Sequence, residues 1–479
     1  MPPSRHHTLA EDRIPWREKI GFGLGEITVA GSVGTLHVLV NPIYNMVLGM
    51  NPALISTVVF IQRFWDALLD PLLGQFSDNF RSRWGRRRPL IAAAAVPLAL
   101  LFALLWWFPQ GAGDTGLFLH LLLVSLAFYA AHTLFAIPLF GLRIEATPDY
   151  HERTRIVSIV MIFGFAFQIT SQWLFPVVQL PYFGDTVAGL RWVTGACAAV
   201  FVLGALAPVF LCRERGYARV AGRQPKISLR DALRHVRENP PLLRVAIARL
   251  IQNFGYNMVG MLGIYMNAYY VFGGDLKAAA WAYGFLGSSY MVSAIVCSMI
   301  IYPWLARRLG KRRTFQIAAG ILMVGCLSKL VIYHPGLPWL QFIVLITNGA
   351  ANSGIGLMGM SMIADIADYN EWRTGQRNEA FLAAIMNWCD KTGGSLGSLL
   401  CGFILVWIGF DAKLGAQSAF TLQLMKFSYF ALPFTGAVVA FWLMRRYDLD
   451  EDRVYAIKDE LARRHALAST AAPAPALPV

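Results

Sequence analysis

The sequence predicts an all-α membrane protein with twelve transmembrane helices and both termini on the cytoplasmic side. Three observations predict it. The 479 residues are 56% hydrophobic and only 15% charged, where a soluble domain carries about 25% charge. Apolar runs near the ~20 residues that cross a bilayer recur along most of the chain. The lysines and arginines gather in every second loop, the asymmetry that sets membrane topology.

The spans fall at 21–49, 53–77, 89–109, 116–145, 155–180, 187–212, 241–272, 279–306, 313–334, 338–368, 378–410 and 417–445. Several exceed the minimum length, which tilt or extension beyond the bilayer accommodates. Cationic clusters occur at 81–88, 153–155, 213–237, 307–313 and 373–377, and in both tails. The loops near 50, 112, 185, 275, 335 and 412 hold few cations or none. That alternation accounts for the net charge of +14 as topology anchoring in a cell membrane, so nucleic acid is not expected as a partner. The six cysteines have no CxxC spacing, so neither a zinc site nor a disulfide framework is expected. The polar opening "MPPSRHHTLAEDR" leads into no short apolar core with a cleavage site, so no signal peptide is expected.

The domain plan is a cytoplasmic tail at 1–20, a six-helix bundle at 21–212, a cytoplasmic central loop at 213–240, a second six-helix bundle at 241–446, and a cytoplasmic tail at 447–479. The loop contains an amphipathic piece, "SLRDALRHVREN", with Ser228 as N-cap. The last tail reads as a short charged helix followed by a disordered Ala/Pro end. An internal repeat supports the two halves. "RWGRRR" (83–88) follows span two, and "RLGKRR" (308–313) follows span eight. "DYHERT" follows span four, and "DYNEWRT" follows span ten. Two matched pairs in equivalent slots point to duplicated halves. Six spans plus six around a central loop is the pattern of the major-facilitator fold, whose substrate and ion sites lie near mid-membrane.

Asp66 and Asp70 stand four residues apart in span two and share one helix face. A charge at the bilayer centre costs at least ~2.5–3.5 kcal/mol on insertion scales, so it needs a cavity and a partner. Neighbouring carboxylates also repel, so one takes a proton or a cation sits between them. The alternative is a structural ion pair with Arg63, one turn earlier on the same helix. Lys391 in span eleven is the candidate countercharge for the two acids. Its alternatives are a pairing with Asp390, which points about 100° away on an ideal helix, or snorkelling.

Several segments resemble the glycoside–pentoside–hexuronide:cation symporter family, the melibiose-permease family. They are "WDALLDPLLGQFSDNFRSRWGRRRP", "IPLFGLRIEATPDYHERTR", "ADIADYNEWRTGQRNEA" with the lysine twelve residues beyond Glu379, and "FGLGE". Together they cover essentially the whole transporter core. The resemblance implies that Asp66 and Asp70 hold the coupling cation, that Thr133 assists with its hydroxyl, and that Lys391 and Arg63 are the charge partners. It implies no cofactor beyond the coupling ion, H⁺ or Na⁺. The departures are specific. The family's asparagine before the second aspartate is Leu69, which removes an oxygen ligand and leans the expectation toward H⁺. The span-one and span-four sugar-binding acids read Ala30 and Ala136, and the span-five arginine reads Met161. Hydrogen bonds to charged groups are worth roughly 1.5–3 kcal/mol each, so melibiose is not carried across as the cargo.

The substrate pocket is expected to use other groups: Glu26 first, then Gln168, Gln172, Asn253, Tyr256, Asn257, Asn348, Asn352, Asn387 and Trp388. For each, the alternative is a helix–helix hydrogen bond or an interfacial aromatic. A cytoplasmic gate is expected from Asp78, Arg86, Glu145, Asp149, Glu152, Arg153, Asp365, Asp368, Glu371 and Arg373, whose pairs would close the inner side of an outward-open state. The glycines of "GGSLGS" (393–398) are expected to bring span eleven close to a neighbour. The function expected is cation-coupled symport of a sugar or glycoside by a monomer in the lipid bilayer. The alternatives are an amphipathic cargo such as a lysolipid, and a non-transporting sensor, for which the tails are short. With no nucleophile–base pair and no HExxH, enzymatic activity is not expected.

Overall fold

The computed structural model describes residues 13–109, 111–147, 149–214, 239–375 and 379–471. The "SLRDALRHVREN" piece of the central loop, the end of the last tail and the side chain of Asp78 lie outside the described residues. The described chain is helical. The helices are α1 (Trp16–Asn41, continued as a π-turn through Val47), α2 (Pro52–Asn79), α3 (Arg88–Leu104), α4 (Asp114–Glu145), α5 (Tyr150–Ser171), the short α6 (Leu174–Val178) and α7 (Thr186–Leu211). They continue as α8 (Pro240–Tyr265), α9 (Leu276–Val296), α10 (Tyr302–Ile332), α11 (Gln341–Thr374), α12 (Glu379–Trp407), α13 (Ala419–Arg445) and α14 (Glu451–Ala471). Among the described residues, eight helical stretches are long and apolar enough to cross a membrane. The chain is a multi-pass membrane protein.

Local chemistry sets the helix ends. Asn51 accepts the Ala53 amide at 2.9 Å to cap α2, Asp149 accepts from Glu152 at 2.7 Å for α5, and Asp185 accepts from Ala188 at 2.7 Å for α7. Gly375 closes α11 with φ +73°, a left-handed value that costs glycine nothing. Spans eight and nine were expected as separate helices. The structure separates them at Gly310, whose φ of +76° breaks the helix inside "RLGKRR". The turn is a single residue because glycine alone takes that conformation without strain.

Packing divides the described chain into two compact units. One contains α1 to α7 together with Met261–Met291 and Ser398–Met425; the other contains α8 to Gly260, Val292–Gly397 and the chain from Lys426. In the first, Phe102 of α3 meets Phe201 of α7 edge-on at 5.0 Å and Phe128 of α4 at 6.1 Å. Thr28 of α1 donates to the Phe201 carbonyl at 2.9 Å, and a Cβ at Gly204 would lie 2.6 Å from the Thr28 hydroxyl oxygen. Glycine therefore lets α1 and α7 close on each other. Lipid is as apolar as these side chains, so close packing and interhelical hydrogen bonds hold the helices together.

In the second unit, Ala351, Ile355, Met358 and Met362 recur at helical spacing on α11 and pack with Phe315, Leu322 and Cys326 of α10. Gly354 seats the Tyr302 ring. The tail helix α14 docks here through Val454, Ile457 and Leu461. Lys458 reaches Asp368 at 3.7 Å, and Arg464 donates to the Trp372 carbonyl at 2.9 Å.

Candidate functional site

The first unit assembles part of the expected cation site. Thr133 on α4 donates its hydroxyl to Asp66 Oδ1 on α2 at 3.3 Å. The register is set nearby: Trp65 donates from its indole to the Leu126 carbonyl at 3.0 Å, two turns of α4 before Thr133. Asp70 follows one turn after Asp66 on the same face. Pro71 lies inside α2, so the Ala67 carbonyl loses its usual helical N–H donor. The Thr133 hydroxyl and the Asp66 carboxylate stand together, oxygen chemistry that suits a hard cation or a proton. Arg63 does not engage the acids. Its guanidinium bonds His37 on α1 at 3.1 Å, so the alternative of a structural ion pair with Asp66 gives way to a tie between helices. Among the described residues, no three His, Cys, Asp or Glu side chains gather as a metal site.

Glu26 is paired with a residue the sequence reading missed. Arg143 of α4 donates from Nη1 to Glu26 Oε2 at 3.2 Å, with both side chains only about one-fifth exposed, 17% and 22%. The guanidinium also lies over the Phe140 ring, 5.1 Å from its centroid. Gly164 of α5 leaves room for the Glu26 methylene, 3.3 Å from where a Cβ would stand. A cation therefore reaches this region from α4, whereas α5 carries Met161. Gln168 borders Gly34 of α1, and its carbonyl accepts from Ser171 at 2.7 Å.

Several of the expected gate charges have partners within their own unit. Glu145 accepts from both Arg86 and Arg87 at 2.6 Å. Glu214 accepts the backbone amides of the same two arginines at 3.0–3.4 Å. Glu152, buried, takes Lys19 at 2.5 Å and the Ile14 amide at 3.0 Å. Asp149 is the cap of α5, and Arg153 donates to the Thr147 carbonyl at 3.2 Å. In the second unit, Lys311 meets Asp365 at 2.7 Å, Lys458 meets Asp368, and Arg373 occupies the last turn of α11.

The second unit joins several expected polar groups into a network. Asp390 is held by Arg249 through an ion pair and by Asn253 through a 2.7 Å hydrogen bond. Its carboxylate is thus engaged from α8, which answers the suggestion that it serves its neighbour Lys391. Gln252 donates to Asn352 at 2.9 Å, and Asn257 donates to the Asn253 carbonyl at 3.0 Å. Gly393 and Gly397 of α12 press against the Leu250 and Phe254 carbonyls of α8, as the "GGSLGS" spacing anticipated. Gln252, Tyr256, Lys329, Asn348 and Asn352 line one cavity inside this unit. Asn387 and Trp388 are exposed on α12, Trp388 at 49%.

The chain resembles known transporters along its length. An uncharacterized symporter of Bacillus subtilis (strain 168), YnaJ, is 25% identical over 466 residues, covering 94% of this chain and 96% of that protein. The isoprimeverose transporter of Lactiplantibacillus pentosus is 23% identical over 466 residues, covering 96% and 94%. Among solved structures, the inward-facing, unoccupied form of a bacterial homolog of the human lysosomal transporter Spinster superposes with a TM-score of 0.67 at 14% identity. That superposition covers 90% of this chain and 98% of the other, and it shows the fold of a membrane transporter. The family model described as MFS/sugar transport protein matches residues 21–451, and the chain belongs to that family.

Proposed function

We propose that this protein moves a sugar or glycoside across the cell membrane together with H⁺ or Na⁺, by alternating access. Twelve spans and cytoplasmic termini complete the reading, and the chain works as a monomer. The observation that carries it is the Thr133–Asp66 hydrogen bond, which brings two helices' oxygens to one place beside Asp70. A pair of carboxylates within an apolar helix is costly unless a cation neutralises it. Coupling follows from that cost: the loaded and empty sites differ in charge, so they favour different conformations of the carrier. Leu69 supplies no oxygen where the family carries asparagine, which favours H⁺. The Ala67 carbonyl freed by Pro71 is the oxygen that would serve Na⁺. Lys391 remains the proposed charge partner of the acids. The family match and the isoprimeverose transporter support a sugar cargo.

The test is uptake into proteoliposomes under imposed proton or sodium gradients. One gradient should drive accumulation of a sugar, and Asp70→Asn should abolish it. Accumulation by Asp70→Asn equal to wild type would remove Asp70 from the coupling site. Binding of a lysolipid, with no sugar moved under either gradient, would replace the sugar reading.

A further inference from the structure

We infer that Arg143, acting with Glu26, is a specificity-determining residue that selects neutral glycosides over sugars bearing a carboxylate or sulfonate. The inference rests on the sugar-symport reading and narrows its substrate class.

Glu26 stands ten residues into α1, about 15 Å along the helix axis from Trp16. It is bonded to Arg143 and not fully buried. A charged pair whose exposed edge met hydrocarbon would be strongly disfavoured, so that edge opens on water. The pair is held by one hydrogen bond, Arg143 Nη1 to Glu26 Oε2 at 3.2 Å. A guanidinium carries five N–H donors, so most of them remain for a ligand, as does the second Glu26 oxygen. Phe140, 55% exposed, lies under the guanidinium and fixes its plane. Fixing the plane preserves the fork that distinguishes arginine from lysine.

A ligand that satisfies this edge must accept from the guanidinium and donate to the carboxylate at once. Vicinal hydroxyls do both. An acyl chain does neither. A uronate or sulfonate accepts from Arg143 but meets Glu26 as a like charge, and juxtaposed like charges are strongly disfavoured. The Glu26–Arg143 pair is neutral as a unit, so the site matches a neutral polyol and rejects an anion.

The experiment is ligand-induced thermal stabilisation, together with gradient-driven uptake. The probes are neutral pentosides and hexosides, each beside its matching uronate. Wild type should be stabilised by, and accumulate, neutral members only. Arg143→Gln should weaken the best neutral ligand at least tenfold, the size expected when a charge-assisted hydrogen bond is lost. Arg143→Lys, which keeps the charge and guards against misfolding, should weaken it too because the fork is gone. Glu26→Gln should weaken the neutral ligand and strengthen the matching uronate at least tenfold. A wild type that binds uronates as well as neutral sugars, or an Arg143→Gln protein with unchanged affinity, would overturn the inference and leave the symport reading standing. Neither class bound nor driven would overturn both.

Discussion

Thr133 and Asp66, 67 positions apart in sequence, are joined by a 3.3 Å hydrogen bond between α4 and α2. The hydroxyl donates to one carboxylate oxygen and keeps its own lone pairs for a third partner. It is therefore placed both to orient Asp66 and to ligate a cation beside it. Thr133→Val removes the oxygen at nearly constant shape. Such a bond is worth about 1 kcal/mol, so the half-saturating concentration of the coupling cation should rise roughly fivefold. Thr133→Ser should stay near wild type. Uptake measured against pH and against Na⁺ decides this, and an unchanged ion dependence in Thr133→Val would remove the hydroxyl from the site.

Gly397 and Gly393 put the α12 backbone on that of α8, where a Cβ would run into the Phe254 and Leu250 carbonyls. Backbone carbonyls cannot rotate away as a side-chain tip can. Gly397→Ala and Gly393→Ala should each destabilise the protein by the roughly 1–3 kcal/mol typical of overpacking, seen as a lower melting temperature in detergent. Gly320 lies in α10 with open space where a Cβ would stand. Gly320→Ala should be neutral or stabilising by up to about 1 kcal/mol, because alanine is the better helix former. A melting temperature raised by all three would show that helix propensity, not contact, governs these positions.

How far the site could be read from sequence follows from what each feature depends on. Asp66 and Asp70 share a face by helix geometry alone, and the close approach at "GGSLGS" follows from residue size; both were legible. Arg143 was not. It stands in an apolar run, which was signal enough to notice it, but its partner Glu26 lies 117 positions away and only the packing of α1 against α4 reveals the pair. Arg63 shows the opposite failure. Spacing suggested Asp66, one turn on, but the side chain bonds His37 on α1. The gate charges were recognisable as charges, yet their partners within each unit depend on loop geometry, as with Glu145 and the two arginines.

Arg249 and Asp390 form an ion pair in the second unit, with side-chain exposures of only 10% and 22%. Asn253 takes the other carboxylate oxygen. Removing one member of a buried pair leaves an uncompensated charge, which costs about 3–5 kcal/mol. Arg249→Leu and Asp390→Leu should each lower thermal stability sharply, while the double variant should recover much of the loss. A double variant whose loss equals the sum of the singles would show that the pair does not couple.

Lys329 and Pro433 meet through a carbonyl. Pro433 lies inside α13 and has no N–H, so the Tyr429 carbonyl, four residues earlier, loses its helical donor. Lys329 of α10 supplies the replacement: its Nζ donates to that carbonyl at 3.2 Å and lies 3.9 Å from the centroid of the Tyr429 ring. The buried lysine thus answers a deficit that the proline creates. Lys329→Met should cost about 1–3 kcal/mol, the penalty of leaving a buried acceptor unpaired. Pro433→Ala restores the N–H at position 433, so the carbonyl no longer needs the lysine. In that background Lys329→Met should cost clearly less, and thermal unfolding of the four proteins gives the coupling directly. Equal costs in both backgrounds would mean that Lys329 acts through the Tyr429 ring alone.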